Sequence, residues 1–174
     1  MCDTYKKKFQ KPVVQWKKSP NFSSRNGSPI RKLVYHYTTS ENVNGVVSWL
    51  TNPESSVSAH YVIDLQGNIT QLVQDDQRAW HAYGNNADSI GVEVCAKTGK
   101  KMTDKQSAAL KALSLYLLNE YPTLETVTGH RFLYKEDGWT DCPSAIFGAP
   151  TIDALRVWIS ENLLSDFPKL KLPT

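Results

Sequence analysis

The chain has 174 residues, close to the usual size of one domain, so it can bury a core without disulfides or a partner to hold it together. Its 40% hydrophobic and 21% charged residues exclude a disordered chain, and a formal charge of +3 is well short of the dense basic face of a nucleic-acid binder. Three widely spaced cysteines, Cys2, Cys95 and Cys142, do not form the pattern of a disulfide framework; MCDTYKKKFQ lacks a signal-like apolar run, and no stretch approaches the roughly 20 apolar residues of a membrane span. The expectation is a monomer made in the cytoplasm without a signal peptide, with no membrane or nucleic-acid partner.

Residues 1–29 carry much of the basic excess, in Lys6, Lys7, Lys8, Lys11, Lys17 and Lys18, and SPNFSSRNGSP reads as extended or loop structure rather than helix or strand. A solvated arm is expected there, with order beginning near Ile30. RKLVYHYT predicts a buried strand with His36 near its end, and Thr39 or Ser40 offers an N-cap for a helix through VNGVVSWL. HYVIDLQGNITQLV predicts a hairpin turning at Gln66, Gly67 and Asn68, where Gly67 can take positive φ. After a polar loop around Tyr83, Gly84, Asn85 and Asn86, SIGVEVCA reads as a central strand with one acid, Glu93, inside it.

TDKQSAALKALSLYLLNEY carries the strongest helix signal, capped by Thr103 and ended by Pro122, with Ala108, Leu110, Leu113, Leu117 and Leu118 predicted inward and Lys105, Lys111 and Glu120 outward. ETVTGH predicts a short strand, residues 131–150 an irregular loop, TIDALRVWISENLL a second amphipathic helix, and FPKLKLPT a tail. Alternating strands and helices predict a single-domain α/β fold, a mixed central sheet flanked by helices. The division expected is an arm over 1–29, a domain over 30–165 and a tail over 166–174.

Four histidines, His36, His60, His81 and His130, can be tested as metal donors. His130 follows a strand and precedes a loop that returns to Cys142, so imidazole and thiolate can meet; His36 adds a third donor if its strand is a neighbour. No compact CxxC or HExxH cluster backs this, and the same residues also suit a small buried Cys, a hydrogen-bonded core His and a surface His. Glu93 in an apolar strand is costly to bury unless paired or useful; the alternative is a sheet-edge glutamate facing water. His60 reads as structural.

The segments LVYHYT, SAHYVIDLQGNI, AWHAYGNNADSIGVEV, TGHRFL and TDCPS occur in one order, and over residues 30–162 the chain resembles the type 2 family of N-acetylmuramoyl-L-alanine amidases, which includes phage endolysins, bacterial cell-wall amidases and peptidoglycan-recognition proteins. The resemblance implies a zinc-binding groove on one face of the sheet, with one Zn²⁺ held by His36, His130 and Cys142. Asp141, one residue further from Pro143, departs from the pattern for the third ligand. It implies Glu93 as general base and then acid, since Ala59 stands where another branch has Tyr, with Tyr35 or Tyr61 next in line. Thr140 is implied as donor to the oxyanion, and His81, Asn85, Asn86 and Tyr61 as contacts to glycan or peptide. The implied reaction is hydrolysis of the amide between N-acetylmuramic acid and L-alanine in peptidoglycan. A phage endolysin acting on the wall after release or export is the first expectation. A cytoplasmic amidase recycling anhydromuropeptides and a non-catalytic recognition module are the alternatives, and the basic arm would aid adhesion to an anionic wall.

Overall fold

The computed structural model describes residues 9–134 and 140–174. In chain order they form β1 (Val14–Trp16), β2 (Phe22–Ser24), β3 (Lys32–Tyr37), α1 (Val43–Leu50), β4 (Tyr61–Ile63), β5 (Ile69–Gln71), β6 (Gln77–Ala79), β7 (Ser89–Val94), α2 (Asp104–Glu120), β8 (Thr126–Gly129) and α3 (Ile152–Asn162). The main sheet runs β1-β5-β4-β7-β3-β8; β4 and β5 pair antiparallel across the hairpin and every other neighbour is parallel. This is the mixed sheet expected. Gly67 has φ +83° in the turn.

The two longest strands, β3 and β7, lie side by side in the sheet, and their alternation sorts side chains onto two faces. Leu33, Tyr35 and Tyr37 of β3, Tyr61 and Ile63 of β4, and Ile90, Val92 and Val94 of β7 join the core shared with α2 and α3. Val62 instead packs with Val47 and Leu50 of α1, Ala59, Leu72 and Cys95 on the opposite face. His36 and Glu93 fall between the members of the first set, so both face the α1 side, and they are register partners across β3 and β7. Parity alone thus sets a titratable pair on one face of a central sheet.

Thr103 caps α2 in a capping box with Gln106. Leu110, Leu113, Leu117 and Leu118 are buried and Lys105 is exposed, as expected, but Ala108 is exposed and Lys111 and Glu120 are half-buried. With Gln106 and Leu110 turned inward, position 108 lies about 200° around the helix from 106, and Ala109 packs against the core instead. The N-cap of α1 is Asn42, whose side chain accepts from Gly45 N–H, in place of Thr39 or Ser40; Thr39 sits at φ +57°.

Residues 9–29 differ most from expectation. β1 extends the main sheet beside β5, β2 pairs with β6, and Arg25 is buried, its guanidinium donating to the carbonyls of Asp75, Ala87 and Ser89. Lys11 donates to Gln71 Oε1 while Lys17 and Lys18 remain exposed; Cys2, Lys6, Lys7 and Lys8 lie outside the described residues. The expected tail also packs: Leu170 is buried, and Lys171 N–H donates to the Glu125 carbonyl beside a bridge to Thr126 at the β8 edge. Among the described residues no helix is long and apolar enough to cross a membrane.

Candidate metal centre and active site

β3 lies between β7 and β8, so a side chain near its end is flanked from both sides. His36 is that side chain, 3% exposed, with Glu93 across on β7. On the other side β8 ends at Gly129, and His130 opens the 3₁₀ turn His130–Leu133. Cys142 arrives from the loop beyond: its carbonyl accepts from Arg131 N–H at 2.8 Å. Gly129 makes the approach possible, because a Cβ there would stand 2.6 Å from Pro143 Cδ. A glycine before His130 therefore admits the loop that carries Cys142.

One donor atom each from His36, His130 and Cys142 lies within 4.8 Å of the others. His36 Nδ1 is 3.5 Å from Cys142 Sγ, and the His36 and His130 rings are 4.5 Å apart at their centroids. Burial, and then the nearness of His130, hold His36 well below the ordinary imidazole pKa, and burial lowers His130 to about 4. Both rings are neutral at pH 7 and keep a lone pair for a metal. Burial and the nearby Glu93 push the Cys142 thiol up, so a cation is needed to make it a thiolate. Burial lifts Glu93 to about 8, and its Oε2 is shielded from solvent without a hydrogen-bond partner among the described residues.

Two neutral imidazoles and a buried thiol converge, and Glu93, whose Oε2 has no hydrogen-bond partner among the described residues, lines the same groove. A divalent ion taking three protein donors and an open fourth position, as hydrolytic zinc does, suits that set. The centre opens into a groove of about 540 Å³, lined also by Tyr37, Thr38, Trp49, Ser58, Trp80 and Thr140.

The residues expected at the site separate into two groups. His36, His81, Glu93, His130, Thr140 and Cys142 all line the groove. Thr140 Oγ1 accepts from Cys142 N–H at 3.1 Å, which leaves its own O–H as a donor. Tyr61 belongs to the other face: it is fully buried, and its hydroxyl donates to Asp75 Oδ1 at 2.6 Å. It is one residue out of phase with Val62, the neighbour of Glu93 in register. Asn85 and Asn86 do not line the groove either. Asn86 Oδ1 accepts from the backbone N–H groups of His81 and Ala82, and Asn85 Oδ1 accepts from Lys32 Nζ, so both shape the loop. His60 is structural, with no exposure and Nδ1 accepting from Gly91 N–H. Asp141 accepts from the Tyr37 hydroxyl at 2.8 Å and is exposed, whereas Cys142 holds the donor position. Sequence reasoning missed Tyr37, Trp49 and Trp80; the signal for Trp49 is its place on the solvent side of α1, where it is 58% exposed.

A mixed α/β sheet with His36, His130 and Cys142 converging beside a buried carboxyl in an open groove is a frame that suits hydrolysis. The chain belongs to the N-acetylmuramoyl-L-alanine amidase family, whose profile matches residues 26–145. It is 38% identical over 76 residues to N-acetylmuramoyl-L-alanine amidase A of Achromobacter lyticus, covering 43% of this chain but only 42% of that protein. It is 29% identical over 140 residues to the 1,6-anhydro-N-acetylmuramyl-L-alanine amidase AmpD of Haemophilus influenzae, covering 64% of this chain and 76% of that one. The endolysin LysCS of Clostridium intestinale shares the fold, with a TM-score of 0.67 at 21% identity over 87% of this chain and 96% of LysCS.

Proposed function

We propose that this protein hydrolyses the amide bond between N-acetylmuramic acid and L-alanine in peptidoglycan, with His36, His130 and Cys142 holding one zinc ion. The observation that carries this is the shielded Glu93 Oε2 beside three converging donors at the floor of an open groove. Zinc bound there would supply Lewis acidity, polarising the amide carbonyl and acidifying water. A dication also favours the carboxylate form of Glu93. Glu93 Oε2 then takes the proton of the attacking water and returns it to the departing alanine nitrogen. Thr140 O–H donates to the carbonyl oxygen as that oxygen becomes negative. Trp49 and Trp80 offer apolar faces on the groove wall against which sugar rings can lie.

The test is mass spectrometry of purified walls digested by the protein: free L-alanine amino termini and intact glycan strands are expected. Walls that are bound but release no such termini would support a non-catalytic recognition module. Two wall-related roles have separate support. An endolysin is favoured by a groove that opens to solvent and by the fold shared with LysCS; recycling of soluble anhydromuropeptides is favoured by likeness to AmpD. We take the endolysin role, acting on the wall after release or export. Faster turnover of soluble anhydromuropeptide than of intact walls would reverse that choice.

A further inference from the structure

A neutral imidazole carries one N–H and one lone pair, and the ring alone does not say which nitrogen holds which. Around His36 the neighbours decide it. Ser89, at the start of β7, has Oγ 2.6 Å from the backbone carbonyl of Asn85, which can only accept. The single hydroxyl hydrogen is committed there. The same Oγ lies 3.1 Å from His81 Nε2 and can only accept from it, so Nε2 carries the hydrogen of His81. A neutral ring with its hydrogen on Nε2 has its lone pair on Nδ1. That Nδ1 is 3.0 Å from His36 Nε2. His36 must donate through Nε2–H, which leaves its lone pair on Nδ1, the atom beside Cys142 Sγ.

The fold goes to some length to hold the His81 ring. A Cβ on Gly91 would stand 2.5 Å from His81 Cγ and 2.6 Å from Nδ1, so the middle of β7 is kept bare where the ring lies against it. Asn86 Oδ1 fixes the backbone on which the ring is mounted. We infer that His81 is a positioning residue and not a substrate contact: accepting from His36 Nε2–H and donating to Ser89, it locks the tautomer that presents His36 Nδ1 to the metal. This rests on the reading of His36 as a metal ligand.

Long-range ¹H–¹⁵N spectra of the metal-free protein at a pH where the imidazoles are neutral report the tautomers directly. Both His36 and His81 are expected to carry hydrogen on Nε2. Competition with a chromophoric chelator then measures zinc affinity. His81→Phe, which keeps a flat ring without the acceptor, should weaken zinc roughly 10–100-fold, the usual loss when an outer hydrogen bond to a liganding imidazole is removed, and His36 should become a tautomer mixture. His81→Gln, whose Oε1 can accept from His36, should recover much of the affinity. Ser89→Ala, a smaller change further from the metal, should randomise His81 and weaken zinc by less. The inference is overturned if wild-type His36 carries its hydrogen on Nδ1, or if His81→Phe matches wild type in tautomer and affinity. Should His81→Phe fail to fold, the wild-type spectra and Ser89→Ala decide. A wild type that shows both Nε2–H tautomers yet binds no zinc would support the hydrogen-bond chain and refute the metal reading.

Discussion

Replacing Glu93 by Gln keeps size and polarity and removes the ionisation, so it separates the two consequences of a carboxyl held at about 8. Consider the metal-free protein first. Below the ordinary 4.5 the carboxyl is protonated in folded and unfolded chains alike and contributes nothing to the pH dependence. Between 4.5 and about 8 the unfolded chain ionises while the folded one keeps its proton, so the native state binds more protons and wild-type stability falls as pH rises. At about 1.4 kcal/mol per tenfold change in ionisation constant, the lift bounds that loss at about 5 kcal/mol. Solvent reaching the groove side of the carboxyl screens part of it, and about 2 kcal/mol is expected. Urea melts of chelator-treated wild type and Glu93→Gln at pH 4.5 and pH 8 should therefore diverge, the variant gaining at the higher pH. Titration of His36 and His130 cancels in the difference. With zinc restored, the variant should keep its metal and its wall binding while turnover falls roughly 10²–10⁴-fold, the usual contribution of general base catalysis. Wild-type turnover should rise with pH as Glu93 ionises, below 8 because a dication favours the carboxylate. A stability difference flat across that range would refute the buried-carboxyl reasoning, and an unchanged rate would refute the base. Neither Tyr35 nor Tyr61 could then replace it, since their hydroxyls bond Ser114 and Asp75 on the far face of the sheet.

Chelation should abolish turnover and added zinc restore it, and Cys142→Ser should bind zinc far more weakly by equilibrium dialysis; full zinc content in that variant would move the third ligand elsewhere. Gly129→Ala drives a Cβ to 2.6 Å from Pro143 Cδ and should cost about 1–3 kcal/mol by overpacking, with zinc content falling because the Cys142 loop is displaced; retained zinc content would show that the loop does not need the glycine. Tyr61→Phe removes one of two hydrogen bonds to Asp75 Oδ1, which keeps Gln71 Nε2, and should cost about 0.5–1.5 kcal/mol in melts with KM for wall fragments unchanged, whereas a raised KM would restore Tyr61 to the substrate site.

The hairpin at Gly67, the capped helix from Thr103 and the central SIGVEV strand were legible because each is a local pattern: a turn glycine, a capping threonine, an apolar run. Strand pairing across the chain was not. β1 has three residues, too few to show a period, and it becomes a strand because β5 offers an unpaired edge some fifty residues later in the chain. Arg25 looks like a solvated loop arginine until the carbonyls of Asp75, Ala87 and Ser89 converge on it.

At the site, residue types in motif order singled out His36, Glu93, His130 and Cys142, and the fold brings all four to one groove. Tyr61 was misplaced because what it does depends on where it points. Tyr61 pairs with Val92 and Val62 with Glu93, and that single step of register decides which of the two hairpin residues shares a face with the site. Once Glu93 is taken as the site-facing residue of β7, Gly91, two residues back, faces the same way, and a glycine on the working face of a central strand marks something lying close against it. The sequence places one ring-bearing loop, AWHAYGNN, immediately before that strand, so the glycine was the available clue to His81. The direction of the hydrogen bonds through His81 was not available at all, since it is set by the Asn85 carbonyl, a backbone atom every residue possesses.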